Sequence, residues 1–89
     1  MPKRTLTLTN QRGLHARAAT KLVQCGQQFS ASIHVYKQQQ KADAANIMSL
    51  LMLAAPCGTE LTVAAEGNDA EQALDAIEAL FDARFDEDQ

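Results

Sequence analysis

Residues 5–19 read Thr5-Leu6-Thr7-Leu8-Thr9-Asn10-Gln11-Arg12-Gly13-Leu14-His15-Ala16-Arg17-Ala18-Ala19, and two different periodicities meet inside them. The first five residues alternate threonine and leucine, the period of a strand whose Leu6 and Leu8 face a core. From Ala16 onward Ala18, Ala19, Leu22 and Val23 recur at helical spacing, which predicts a helix to about Cys25 with Gly26 as its stop. Between them Asn10-Gln11-Arg12-Gly13 is a loop in which Gly13 can take positive φ. A strand, a tight loop and a helix in 20 residues start a mixed fold.

The rest of the chain repeats both patterns. Ala31–Lys37 alternates, with Ile33 and Val35 inward, and Gln38-Gln39-Gln40 is a polar turn before a short edge strand at Lys41–Asp43. Asn46 is an N-cap residue for a short apolar helix over Ile47–Leu53, and Pro56-Cys57-Gly58 breaks the chain. Glu60–Glu66 is a strand with Leu61, Val63 and Ala65 inward. Asp69 then caps a final helix over 70–84, with Ala70, Ala73, Leu74, Ile77, Leu80 and Phe81 as its apolar stripe. Its acids Glu71, Asp75, Glu78 and Asp82 fall on one solvated face, and residues 86–89 are expected to fray. The order is βαββαβα. One sheet with its helices packed on one face is the economical two-layer answer, an α+β fold.

Eighty-nine residues suit a single domain, 1–89, with a modest core. No apolar run approaches the roughly 20 residues of a bilayer span, and the N-terminus lacks the apolar stretch of a signal peptide, so a cytoplasmic protein without membrane insertion is expected. Cys25 and Cys57 have neither zinc spacing nor a CxxC pattern, so reduced thiols are expected, with no metal and no cofactor. His34 falls on the outward phase of its strand and is expected to be plain surface.

Charge is unevenly spread. Residues 1–45 hold seven basic groups against Asp43 alone, whereas residues 46–89 hold Arg84 against ten acids. The basic half suits an anion or an acidic protein, and the acidic half argues against general nucleic-acid binding.

The most telling polar residue is His15. It stands where a helix begins, and there the first backbone N–H groups, including those of Ala16 and Arg17, lack internal partners and carry the positive end of the helix dipole. Such a place binds phosphate. The same field disfavours an imidazolium and leaves the ring a neutral nucleophile. Arg17 adds a permanent cation whose fork of donors matches a phosphate. From spacing alone, a His that merely caps a helix beside a solvated Arg is the commoner reading. No acid–base pair, metal cluster or glycine-rich nucleotide loop accompanies it, so a free-standing enzyme is excluded in favour of a carrier or a binding module.

The segment Gly13-Leu14-His15-Ala16-Arg17-Ala18-Ala19 resembles the active-site loop of the HPr family, the histidine phosphocarriers of the bacterial phosphotransferase system. Residues 46–55 and Ala64-Ala65-Glu66-Gly67 resemble the family too. The resemblance implies an open-faced β-sandwich, with a four-stranded antiparallel sheet and three helices on one face. It also implies a phosphohistidine at His15 Nδ1, steadied by Arg17. The implied partners, both transient, are an enzyme I-type donor and an enzyme IIA-type acceptor. They would dock on Arg12, Lys21 and the short helix through Ile47, Met48 and Leu51, with the chain acting as a monomer.

Two departures bear on this. Many relatives carry proline at the place of Ala18, and alanine keeps the helix there. Some carry a kinase-regulated serine at the place of Asn46, which has no hydroxyl, so that input is expected to be absent, and Ser49 is read as ordinary surface. With the acidic ending Arg84-Phe85-Asp86-Glu87-Asp88, these features resemble the nitrogen-related branch, with a nitrogen-type enzyme I and enzyme IIA, and a regulatory role in metabolism. The sugar-uptake HPr is the alternative within the family. A regulatory binding module that is never phosphorylated is the alternative outside it.

Overall fold

The computed structural model describes residues 2–86. Strands β1 (Lys3–Thr7), β2 (Ser32–Lys37), β3 (Gln40–Asp43) and β4 (Glu60–Glu66) form one antiparallel sheet in the order β1-β4-β2-β3. Helices α1 (Ala16–Gly26), α2 (Ile47–Leu51) and α3 (Ala70–Asp82) cover one face of that sheet. The order and architecture read from the sequence are those observed.

Alternation decides which face is covered. Leu61 stands opposite Leu6, and Val63 lies between Arg4 and Val35 in the cross-strand register, so these side chains share the helix-facing side. Leu61, Val63, Ala65, Val35 and Ile33 are buried there against Ala18, Ala19 and Leu22 of α1 and Ala73, Leu74 and Ile77 of α3. Thr5, Thr62, His34 and Tyr36 take the opposite phase, on the open side, where His34 is half-buried.

Several boundaries move for local reasons. β1 begins two residues earlier than its threonine–leucine alternation suggests and ends at Thr7, although Leu8 remains buried through bonds with Thr59 (2.9 Å) and Gly58 (2.7 Å). The earlier start puts Arg4 in the inward phase at the sheet edge. Its guanidinium meets Glu71 (3.1 Å), Asp75 (2.7 Å) and Glu78 (2.9 Å) of α3, which raises its pKa further. The acidic stripe is therefore not a purely solvated face. α1 runs through Gly26 to a C-cap at Gln27 with α-region dihedrals, so Gly26 is no left-handed stop. α2 ends at Leu51 and not at Leu53, because the chain turns at Ala54 with φ +51°. Its cap is as expected: Asn46 Oδ1 accepts from the Ser49 amide at 3.1 Å.

α3 stops at Asp82, short of Arg84. Arg84, Phe85 and Asp86 form a left-handed turn with φ of 55°, 55° and 62°. That conformation costs about 1–2 kcal/mol for each non-glycine residue. The compensation is Phe85, fully buried with its ring 5.0 Å from that of Phe81. Asp86 pairs with Lys21 at 3.3 Å, and residues 87–89 lie outside the described part. Cys25 is half-buried and Cys57 exposed, both as free thiols, and burial pushes the Cys25 thiol up.

Asp69 does not cap α3 with its side chain. Its carboxylate reaches back to accept from the amides of Ser30 (2.8 Å) and Ala31 (2.9 Å), pinning the entrance of β2 to the start of α3. Bonds to a charged acceptor are worth roughly 1.5–3 kcal/mol each when sheltered, and one of these two is exposed. Asp69→Ala should therefore cost about 2 kcal/mol, a fall in Tm of about 10 °C for a domain of this size. Asp69→Asn, which keeps one acceptor, should lose about half of that. Thermal unfolding checks both; an unchanged Tm for Asp69→Ala would refute the pinning role.

Candidate functional site

The loop before α1 is built around Gly13. It has φ +66°, and a Cβ there would stand 2.4 Å from the Ala55 carbonyl oxygen and 2.7 Å from Pro56 Cα. No other residue fits such an approach without displacing backbone. The fit lets the Leu14 amide donate to Ala55 O at 2.9 Å, and buries Leu14. Asn10, fully buried, donates through Nδ2 to the Gly13 carbonyl at 2.7 Å, and the His15 amide shares that carbonyl at 3.0 Å. The sequence reading passed over Asn10 as a loop residue. An asparagine three residues before a glycine is a turn signal, but local sequence does not announce that it is buried.

His15 emerges from this loop as the N-cap of α1, with extended dihedrals of −87° and −178°. Its carbonyl accepts the Ala19 amide at 2.8 Å, and the Arg17 amide donates to its Nδ1 at 3.4 Å. The bond to Nδ1 is longer than the roughly 2.7–3.2 Å of a full-strength one. Nδ1 is thus the ring atom turned to the helix amides. The ring is half-buried, while Ala16 and Arg17 are exposed.

The candidate cations divide. Arg12 and Arg17 are exposed, and among the described residues neither forms an ion pair. Lys21, one helical turn past Arg17, is committed to Asp86. The apolar candidates divide as well. Ile47 and Met48 are exposed, Met48 by 66%, but Leu51 packs partly against the core. The exposed apolar residue not named from sequence is Met52, at 75%. It became visible only once α2 was seen to end at Leu51. α2 is tied to the His15 loop through Ala55, three residues past Met52, which accepts the Leu14 amide.

No described helix is long and apolar enough to cross a membrane, and no group of three or more His, Cys, Asp or Glu among the described residues could hold a metal ion.

Residues 2–83 match the family described as PTS HPr component phosphorylation site. The chain is 48% identical over 85 residues to the phosphocarrier protein NPr of Shewanella violacea, covering 96% of this chain and 93% of that one. It is 40% identical over 88 residues to the phosphocarrier protein HPr of Xylella fastidiosa, covering 99% of each. The crystal structure of HPr-C-His from Thermoanaerobacter tengcongensis superposes with a TM-score of 0.95 over the whole of both chains, at 36% identity. With the sheet order, the helix-capping histidine and these likenesses in agreement, the chain belongs to the HPr family of phosphotransferase-system phosphocarriers.

Proposed function

We propose that His15 is the phosphoryl acceptor and that Nδ1 is the atom that bears the group. The observation that carries this is the placement of Nδ1 at the open amide end of α1, beside an arginine with no ion-pair partner among the described residues. In loading, the Nδ1 lone pair forms a bond to phosphorus as the P–N bond of the donor's phosphohistidine breaks, and that electron pair returns to the donor nitrogen. Unloading to the acceptor protein runs the same exchange outward. The long bond from the Arg17 amide is a small loss, and the phosphoryl oxygens replace it by accepting from the amides of Ala16 and Arg17. The Arg17 guanidinium offsets the new negative charge. In this reading the chain is a cytoplasmic carrier, with catalysis shared with its partners.

The donor in this proposal is a nitrogen-type enzyme I and the acceptor a nitrogen-type enzyme IIA. Greater likeness to the Shewanella NPr than to the Xylella HPr supports this branch. The substantial likeness to that HPr keeps the sugar-uptake role as the second reading. Docking uses Arg12 and Arg17 around the histidine and the exposed Ile47, Met48 and Met52 of the α2 region, so the partner face is acidic around an apolar centre. Asn46 spends its side chain on the α2 cap and offers no hydroxyl to a serine kinase.

His15→Ala should abolish incorporation of acid-labile, alkali-stable phosphate from a phosphorylated enzyme I while the fold persists. Undiminished labelling, with phosphate on His34, would sink the assignment.

Arg17→Ala should slow transfer by about one to two decades, the worth of a charge-assisted bond of roughly 1.5–3 kcal/mol. Its Tm should move little, since an exposed residue away from special features changes stability by no more than about 0.5 kcal/mol. Wild-type transfer kinetics in this variant would remove Arg17 from the site.

Initial transfer rates should favour the nitrogen-type enzyme I over the sugar type at equal concentration, fall with added salt through slower association, and drop for Met48→Glu in both loading and unloading. Equal rates from the two donors would overturn the branch and leave the carrier standing.

A further inference from the structure

Lys37 ends β2 in the same phase as Ile33 and Val35, the side of the sheet that faces the helices. A half-buried lysine on a core-facing phase needs a partner, and this one has two. Its Nζ donates to the carbonyls of Leu53 at 2.9 Å and Ala54 at 3.1 Å, just past the end of α2. Both carbonyls belong to the irregular stretch past the Met52 C-cap of α2, and donating to them compensates the ammonium for its partial burial. The same stretch contains Ala54 at φ +51°, a left-handed position that alanine occupies only when its surroundings hold it. The next residue, Ala55, accepts the Leu14 amide and is the atom group against which Gly13 closes.

A single run of contacts thus joins the Lys37 ammonium to the 53–55 segment, that segment to Leu14, and Leu14 to His15. The same segment continues directly from Met48 and Met52, the exposed apolar residues. We infer that Lys37 is a positioning residue for phosphoryl transfer: by clamping the carbonyls of Leu53 and Ala54 it fixes the His15 loop relative to the exposed face of α2. This rests on His15 as the phosphoryl acceptor. Lys37 itself touches neither the histidine nor the docking face, so its effect on transfer is indirect and specific to the lost clamp.

The test compares the full chain with Lys37→Met, which keeps the aliphatic stem and removes the charge, with Lys37→Arg, which restores a cation, and with Lys41→Met, which removes an exposed lysine of β3. If Lys37→Met folds poorly, Ala54→Gly is added, because glycine relieves the left-handed position without restoring the clamp. Amide hydrogen exchange at Leu14 reads the clamp without any phosphate present, and transfer from a phosphorylated enzyme I reads its consequence. Loss of the clamp should speed Leu14 exchange about tenfold and lower kcat/KM for transfer about tenfold, each tenfold corresponding to roughly 1.4 kcal/mol. Lys37→Arg should recover most of both, and Lys41→Met should change neither. Unchanged Leu14 exchange in Lys37→Met overturns the clamp. Faster exchange with wild-type transfer, while His15→Ala transfers nothing, overturns the positioning role and leaves the phosphocarrier reading intact. Failure of the wild-type chain to take phosphate removes that reading instead, while Leu14 exchange still reports on the clamp.

Discussion

The close approach of Gly13 to Ala55 and Pro56 is the constraint from which the site follows. With no Cβ at residue 13, two backbone segments far apart in sequence can touch, and the Leu14 amide finds its acceptor in Ala55. The contact is reinforced one turn earlier, where Leu8 exchanges bonds with Gly58 and Thr59, and from within by buried Asn10. The consequence is a helix whose start is held against the 55–56 segment. His15 therefore caps α1 from a rigid support while its ring stays partly open to solvent. Reactive groups held by packed backbone keep their geometry better than groups on loose loops. A side chain at position 13 would separate the two segments and tilt the helix start, whatever residue stood at 15.

Charge is rearranged by folding in a way that the sequence totals conceal. The basic first half of the chain is not a basic face. Arg4 is turned inward to three carboxylates of α3, Lys21 is paired with Asp86, and Lys37 is given to the end of α2. Arg12 and Arg17, close to His15 in sequence, are exposed and form no ion pair among the described residues. Three of the seven basic groups of that half are thus turned to partners within the fold, and the Arg4 network tempers the negative charge of α3.

Much of the architecture was legible because it rests on local periodicity. The alternation at Ile33/Val35 and Leu61/Val63/Ala65, the helical stripe from Ala70 to Phe81 and the Asn46 cap each depend on residues a few positions apart. What escaped depends on contacts between distant segments. Asp69 has the residue type and position of a helix cap, yet its carboxylate serves amides 38 and 39 positions earlier in the chain. Phe85 lies beyond the helical stripe, and a left-handed turn at Arg84–Asp86 carries it back into the core, a conformation that no local preference of Arg, Phe or Asp suggests. Arg4 was missed because the alternation starts visibly only at Thr5, two residues after the strand itself begins. His15 was legible as a special position, but the cap and the proposed phosphoryl acceptor use the same atom, Nδ1, so spacing alone could not separate them.

The shortness of α2 explains why an apolar surface persists beside the histidine. A five-residue helix ending at a left-handed alanine buries Leu50 completely and Leu51 in part, and no further turn follows to cover Ile47, Met48 and Met52. Two of those three are methionines, unbranched and polarizable, which adapt to differently shaped surfaces better than leucine or isoleucine. A carrier that meets a donor and then an acceptor through one face gains from such tolerance, because tight complementarity to either partner would slow release. The specificity of the exchange then falls to the charges around the apolar centre, which act on association more than on residence. In the proposed docking those charges are Arg12 and Arg17, which flank the histidine in sequence, so the loop that orients the ring also carries the charges a partner would meet.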